Sequence, residues 1–260
     1  MRHCGVIVSL SFLLWLCACG GSPTVGGPVP AFTIVSGDWT LPLVVPGSPP
    51  DLRVTGGFLT QNGASISGTL HMISFPCLDP FADDLVVTGT VSSNTLTLST
   101  APLRGQVLSL TLRPSSGQSG NVTSLEGSGN LTGPCGFSAS TTASLVPPMN
   151  GTFKGSFTSG LTGDVTANLS QSGPDAHGYF HVTGDLAFSG TRCFASATIV
   201  DSIGFGGAAF IHLNTSDSGR ADLIAVHAVS ATFPDEMLST FVIHTGTCAN
   251  QVGSVILKKQ

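Results

Sequence analysis

The chain has 260 residues, of which only 9% are charged, and its formal net charge is −5 at pH 7. Its few Lys and Arg residues are scattered along the sequence, so the electrostatic footprint of a nucleic-acid-binding protein is missing. Glycine and the hydroxyl residues are abundant, whereas helix-forming Glu and Lys are rare, and this composition is typical of strands and turns. We therefore expect an all-β protein with no nucleic-acid partner.

The first residues form a short export signal. Arg2 and His3 precede an apolar run from Val6 to Leu16. That run is about half as long as the ~20 residues that a membrane-spanning helix needs. A basic start, a short apolar core and an exit of small residues indicate a secretory signal peptide, which we assign to residues 1–18.

The exit of that segment reads Leu16-Cys-Ala-Cys19 and closely resembles the bacterial lipobox. The resemblance implies cleavage before Cys19, attachment of diacylglycerol to the Cys19 thiol, and usually a third acyl chain on its amine. Two or three acyl chains form a stable membrane anchor. Gly20 stands where an Asp favours retention in the inner membrane of enteric bacteria. For a Gram-negative organism the resemblance therefore implies an outer-membrane lipoprotein.

The segment after the lipidated cysteine is rich in Gly and Pro. Such a composition buries no core and favours a flexible tether, which we assign to residues 19–36. The tether would hold the folded part of the chain away from the membrane surface.

One stretch of the sequence occurs twice. The segment 59–71 matches the segment 169–181 without a gap, and the matched residues are Leu, Gln, two Gly and a final His. Each copy predicts a β-hairpin, with turns at Asn62-Gly63 and Ser172-Gly173. The repeat indicates a duplication into two β domains, residues 37–146 and 150–260, with a proline seam between them.

Each half contains about eight short strands. Alternation is clear at Leu108, Leu110 and Leu112, which share one face of a strand. The strands of the first half are predicted near 38–45, 52–60, 65–74, 84–91, 94–99, 106–113, 121–131 and 137–145. Those of the second half are predicted near 151–157, 163–171, 176–184, 193–201, 206–213, 221–230, 238–245 and 252–258. Residues 221–230 also fit a helix.

Consecutive short strands favour an antiparallel meander that closes into a small barrel, with a β-sandwich as the alternative. Gly37-x-Trp39 resembles the Gly-x-Trp signature of lipocalins, although Phe153 replaces the tryptophan in the second half. The resemblance implies a calycin-like barrel, whose interior is filled or holds one small hydrophobic ligand. In the second case the lining residues would be Leu70, Met72, Leu108 and Leu110.

The cysteines divide by region. Cys4 and Cys17 leave with the signal peptide and Cys19 carries the lipid, so four remain, two in each half. In an exported protein these predict disulfides, and three connectivities are possible. The matching positions in the two halves favour the pairs Cys77–Cys135 and Cys193–Cys248. No C-x-x-C spacing is present, so we expect no metal site.

The sequence offers few groups for chemistry. His177 and His181 are predicted on the polar face of one strand with Asp175 nearby, and His71 is the equivalent of His181 in the first half. For these histidines a solvated or cross-strand-paired position is favoured over a metal site or a hydrolase. Asp79, Asp83 and Asp84 form an acidic stretch, which we predict to be a solvated loop. His212 and His244 are isolated in sequence, and packing is the expected role of each.

No catalytic motif is present in the sequence. These observations predict a non-enzymatic, lipid-anchored lipoprotein of the cell envelope with a structural or binding role and no cofactor. Its partners would be the membrane, through the acyl chains, and a small hydrophobic ligand or another envelope protein. The alternatives are a lipocalin-like carrier and, less favoured, an envelope hydrolase.

Overall fold

The computed structural model describes residues 32–47, 51–73, 77–78, 83–227 and 235–260, and their regular structure consists of strands alone. In these ranges no helix is long and apolar enough to cross a membrane. The strands of the first half are β1 (Phe32–Ile34), β2 (Gly37–Val45), β3 (Asp51–Asn62), β4 (Ser65–Ile73), β5 (Leu85–Ser92), β6 (Thr95–Thr100), β7 (Val107–Pro114), β8 (Gly120–Val122), β9 (Ser124–Thr132) and β10 (Phe137–Leu145). Those of the second half are β11 (Gly151–Ser159), β12 (Asp164–Gln171), β13 (Val182–Ser189), β14 (Ser196–Phe205), β15 (Ala208–Thr215), β16 (Arg220–His227), β17 (Glu236–Thr245) and β18 (Val252–Lys259).

The strands form two closed antiparallel barrels of eight strands each. Barrel 1 has the order β10-β2-β3-β4-β5-β6-β7-β9, and barrel 2 runs from β11 to β18 in sequence order. In each barrel the first strand pairs with the last, which closes the sheet and leaves no free edge. The predicted tandem all-β barrels are confirmed, and the β-sandwich alternative is wrong.

Alternating side chains fill both barrels. Along β7, Leu108, Leu110 and Leu112 point inward and are at most 2% exposed, whereas Ser109 and Thr111 point outward. Trp39 of barrel 1 and the equivalent Phe153 of barrel 2 are fully buried. The residues predicted to line a cavity lie in this packed core: Leu70, Met72, Leu108 and Leu110.

Strand β1 lies within the predicted tether and corrects its extent. Residues 32–34 pair in parallel with β8 instead of forming part of a flexible segment. The physical reason is the alternation of Phe32 and Ile34, which gives the segment an apolar side that is 2% exposed. The predicted signal peptide and Cys19 lie outside the described residues.

The glutamine of the repeat has the same role in both barrels. The Oε1 atom of Gln61 accepts a hydrogen bond from the Ile34 N–H at 2.7 Å, and Oε1 of Gln171 accepts one from the Met149 N–H at 2.7 Å. Each of these N–H groups lies just before the first strand of its barrel. The repeated glutamine therefore fixes the segment that leads into each barrel.

The second copy of the repeat is not a tight hairpin. The strands predicted at 176–184 and 193–201 are displaced to β13 and β14, because residues 172–181 form a loop. Pro174 lacks the N–H that a ladder needs. Next to it, the Asp175 carboxylate accepts hydrogen bonds from the N–H groups of His177 and Tyr179, which favours a turn. In the segment 221–230, for which a helix was open, residues 221–227 belong to β16, and residues 228–230 lie outside the described residues.

Each barrel carries one disulfide at the same place. Cys77 is bonded to Cys135, with Cα atoms 6.4 Å apart, and Cys193 to Cys248, with Cα atoms 5.3 Å apart. These are the pairs that the duplication favours. Each joins the segment after the third barrel strand to the turn between the last two strands.

Candidate functional site

One end of barrel 2 rests on the outer wall of barrel 1. The loop 172–181 and the turn between β14 and β15 lie against the outward faces of β2, β3 and β4, and we call this contact the barrel junction. A Cβ atom on Gly178 of the loop would stand 2.8 Å from Thr69 Cβ of β4, closer than carbon atoms approach without repulsion.

Two glycines allow the backbones to meet at the barrel junction. Gly206 and Gly207 have φ of 56° and 80°, as a two-residue type I′ hairpin turn requires, and glycine adopts these angles without steric cost. A Cβ atom on Gly206 would stand only 2.7 Å from the Cα of Gly56 on β3. In the Gly-rich segment 204–209, Gly206 and Gly207 therefore form a turn that allows close contact, between the end of β14 and the start of β15.

A buried carboxylate holds this turn. Asp38 lies on the outward side of β2 and is only 7% exposed. Its Oδ1 accepts a hydrogen bond from the Gly206 N–H at 2.8 Å, and its Oδ2 accepts one from the Gly207 N–H at 2.9 Å. Burial raises the pKa of Asp38 to about 6, although the backbone hydrogen bonds act in the opposite direction.

His71, the histidine of the first repeat copy, is fully buried at the barrel junction. Its ring stacks on Tyr179, with centroids 4.0 Å apart, and lies 4.9 Å from the Phe205 ring. Its Nε2–H donates to the His177 carbonyl at 3.1 Å. Burial lowers the pKa of His71 below its usual range. The side chain does face outward from barrel 1, but barrel 2 covers it, so its expected solvated position is wrong.

Two aspartate–histidine pairs border the barrel junction. His177 Nδ1–H donates to Asp84 at 2.6 Å, and this hydrogen bond raises the pKa of His177. His181 Nε2 is 3.0 Å from the Asp175 carboxylate, whose hydrogen bond raises the pKa of His181. The two histidines belong to a loop instead of the strand face that the sequence predicted, and His177 bonds to the other barrel.

The aspartates of the acidic stretch have different partners. Asp83 is buried and lies 3.0 Å from the Arg104 guanidinium, while Asp84 pairs with His177. Asp79 lies outside the described residues. The expected solvated acidic loop is therefore wrong for Asp83, and Asp84 is only part-exposed.

The polar groups next to the barrel junction in barrel 2 are engaged in hydrogen bonds within that barrel. Both ring nitrogens of His181 have partners, the Ser202 carbonyl and the Asp175 carboxylate. The nearby Ser202 hydroxyl donates to the Val182 carbonyl and accepts from the Val182 N–H. Among the described residues, no three His, Cys, Asp or Glu side chains are arranged to hold a metal ion.

A second constellation, missed by the sequence reading, lies on the outer wall of barrel 2. His212 Nδ1–H donates to one oxygen of Asp222 at 2.7 Å, and His244 Nε2–H donates to the other at 2.8 Å. Burial alone would raise the pKa of Asp222, but these hydrogen bonds bring it below its usual range. The three side chains border a shallow groove of about 550 Å³ together with Arg220. Hairpin register could have revealed this group, since His212 lies directly opposite Asp222.

Comparison with known proteins adds little to this description. No protein-family model matches the chain, and no curated protein matches it. A candidate outer membrane protein from Bacteroides fragilis, known from its crystal structure, is 12% identical with a TM-score of 0.26, over 86% of this chain and 96% of that chain. A match at this TM-score supports no conclusion about function.

Proposed function

We propose that the chain is an exported, lipid-anchored lipoprotein of the bacterial cell envelope that acts by binding instead of catalysis. The observation that carries the proposal is the disulfide in each barrel, Cys77–Cys135 and Cys193–Cys248. Such bonds persist in oxidising compartments outside the cytoplasm and are rare within it. The lipobox-like sequence that ends at Cys19 supplies the anchor.

The proposed location is the outer membrane, because Gly20 follows the lipidated cysteine. Residues 20–31 connect Cys19 to β1 and, fully extended, would reach up to ~40 Å. The barrels could therefore contact the bilayer or a partner some distance from it.

The binding surface is proposed to lie outside the barrels. Trp39, Leu70 and Phe153 are fully buried within the interiors, so a ligand there would have to displace tightly packed side chains. For this reason we do not extend the proposal to a lipocalin-like carrier. The partner would be a membrane surface or another envelope protein.

The absence of catalysis is part of the same proposal. The histidines that a hydrolase would use, His177 and His181, are held by Asp84 and Asp175. A double His177→Ala, His181→Ala variant that loses an esterase, peptidase or glycosidase activity of the wild type would overturn this part.

Mass spectrometry of the N-terminus of the membrane-fraction protein tests the anchor. We expect a mature chain that begins with diacylglyceryl-modified Cys19, and accumulation of the unprocessed chain when cells are treated with globomycin. A Cys19→Ser variant should lose the modification, whereas the matched Cys17→Ser variant should retain it. An unmodified Cys19 in the wild-type protein would overturn the anchoring proposal.

A further inference from the structure

The outer walls of the two barrels differ in chemistry. On β7, β9 and β10 of barrel 1 the exposed outward residues are mainly hydroxyl and amide residues: Ser109, Thr111, Ser128, Asn130, Ser140 and Thr142. On the equivalent strands β16, β17 and β18 of barrel 2, five large apolar residues are between 37% and 52% exposed: Ile224, Val226, Leu238, Val252 and Ile256. We call these five residues the apolar wall.

The register of the strands places four residues of the apolar wall side by side, while Val252 lies farther along β18, beyond Ser254. Val226 lies opposite Leu238, and Leu238 lies opposite Ile256, so one row of apolar side chains crosses three strands. Ile224 is two residues from Val226 and faces the same way. Elsewhere, exposed valines such as Val86 of barrel 1 stand alone. Since the barrels are duplicates, barrel 1 shows that the fold itself does not require an apolar wall.

Basic residues border the apolar wall at both ends. All three lysines of the chain lie at one end: Lys258 follows Ile256 by two residues, Lys259 is next to it, and Lys154 lies opposite Lys258 on β11. Arg220 is exposed at the other end of β16. Two carboxylates of this surface are paired, Glu236 with Lys258 and Asp222 with two histidines. The lysines of a chain whose net charge is −5 are therefore gathered at one end of the apolar wall.

We propose that the apolar wall docks on a bilayer surface that contains anionic lipids. Its Val, Leu and Ile side chains would enter the boundary between headgroups and acyl chains, and the bordering Lys and Arg side chains would reach the lipid phosphates. This step rests on the proposed function, because the lipid on Cys19 brings the barrels to the membrane.

The size of the apolar wall favours a membrane over a second copy of the chain. Five side chains at these exposures offer a few hundred Å² of apolar surface, whereas each subunit of a stable dimer buries about 800 Å². A bilayer requires no matching protein surface, and its anionic headgroups complement the lysine side chains at one end of the wall.

Tryptophan quenching in vesicles tests the docking. The purified lipidated chain is reconstituted into vesicles of brominated phosphatidylcholine and phosphatidylglycerol, whose bromine atoms quench tryptophan at the bilayer surface. We expect emission of a Leu238→Trp variant to fall about twofold or more, since the wall inserts into the interface. Ser128→Trp on β9 of barrel 1 is the matched control and should keep its emission. Trp39 is fully buried in both variants and gives a constant background.

Two further variants complete the test. Val252→Trp probes the same wall if Leu238→Trp fails to fold. Replacing Lys154, Lys258 and Lys259 by Gln should weaken the quenching at position 238, as should vesicles without phosphatidylglycerol. Equal quenching at positions 238 and 128 on a vesicle-bound chain would overturn the docking, and so would self-association that hides position 238 from the lipid.

A missing lipid anchor can be distinguished from a failure of the apolar wall to dock. If the chain lacks the lipid, mass spectrometry of the same preparation shows an unmodified Cys19. Quenching at position 238 in that preparation would uphold the docking while the anchor fails, and loss of vesicle binding would overturn both.

Discussion

At the scale of single residues, Asp38 places a carboxylate in the barrel junction. It is 7% exposed, and its two oxygens accept hydrogen bonds from the N–H groups of Gly206 and Gly207. Burying a charge is unfavourable, so the group takes up a proton more readily than in water. Lowering the pH therefore protonates a side chain that lies in the contact between the barrels.

Replacing Asp38 should change how stability depends on pH. Its pKa is 3.8 in the unfolded chain and about 6 in the folded one. The folded state thus binds the proton more tightly, and the resulting stabilisation is complete below pH 3.8 and lost as the pH rises through 6. This amounts to about 3 kcal/mol. Urea unfolding should show the advantage of the wild type over Asp38→Asn shrinking by about that amount from pH 4 to pH 7.

The exposed Ser128 on the outward face of β9 provides the control for that experiment. Because Ser128→Ala neither adds nor removes a titratable group, the difference between the wild type and this variant should not change with pH. If the Asp38→Asn variant retains the pH dependence of the wild type, the carboxylate is not the titrating group.

Gly206→Ala should separate the barrels without unfolding them. The substitution places a Cβ atom against Gly56 and also forces alanine to a φ of 56°. Gly63→Ala has the same backbone cost of about 1 kcal/mol, since its φ is 59°, but its Cβ atom would meet nothing within 4 Å. X-ray scattering should show a larger radius of gyration for Gly206→Ala alone. Equal scattering by both variants would contradict a contact that depends on this glycine.

At the scale of elements, the duplicated hairpin shows what a repeat preserves. Both copies retain the glutamine that fixes the entry to the barrel, through Ile34 in one and Met149 in the other. The return strand differs, because in barrel 2 it begins only at Val182, after the loop 172–181, which reaches the other barrel. The repeat thus preserves the closure of the barrel and varies the surface.

Removal of the glutamine should destabilise each barrel to a similar degree. Gln171→Ala leaves the Met149 N–H without its acceptor, and we expect a loss of about 1–2 kcal/mol in the free energy of unfolding. Gln171→Glu retains an oxygen at that place and should lose less. Thermal unfolding of both variants, and of Gln61→Ala in barrel 1, measures this. An Ala variant as stable as the wild type would show that water replaces the acceptor.

The sequence predicted the elements better than the contacts between them. Alternation at Leu108, Leu110 and Leu112 was sufficient to place β7, because the inward-facing side chains of a strand follow from its own alternating sequence. The burial of His71 could not be predicted in this way, since the side chain does point outward and only the second barrel covers it. The group around Asp222 was missed for a related reason: its members lie on neighbouring strands and share no sequence motif.

At the scale of the whole molecule, one disulfide cross-links each barrel. The bonded residues are 58 and 55 positions apart, so each bond restricts the unfolded chain to a similar extent, worth about 4 kcal/mol in the chain-entropy model. Neither bond links the two barrels.

Removing one disulfide should therefore affect mainly the barrel that contains it. We expect Cys77→Ser with Cys135→Ser to destabilise barrel 1 by about 4 kcal/mol, and the corresponding pair at Cys193 and Cys248 to do the same for barrel 2. Urea unfolding followed by hydrogen exchange separates the two transitions. Equal loss of protection in both barrels after one disulfide is removed would mean that they unfold as a single unit.

The barrel junction joins the end of one barrel to the side of a second, similar one, which is a heterologous contact. Contacts of this type do not close on themselves and, between duplicated units, can extend into open chains of molecules. At the positions of Asp38 and Gly56 in barrel 1, barrel 2 has Thr152 and Thr166. The end of a barrel from another molecule would therefore find on the side of barrel 2 neither the carboxylate that accepts its hydrogen bonds nor the space that a glycine leaves. We therefore expect divergence at these two positions to disfavour extension of this contact into open chains.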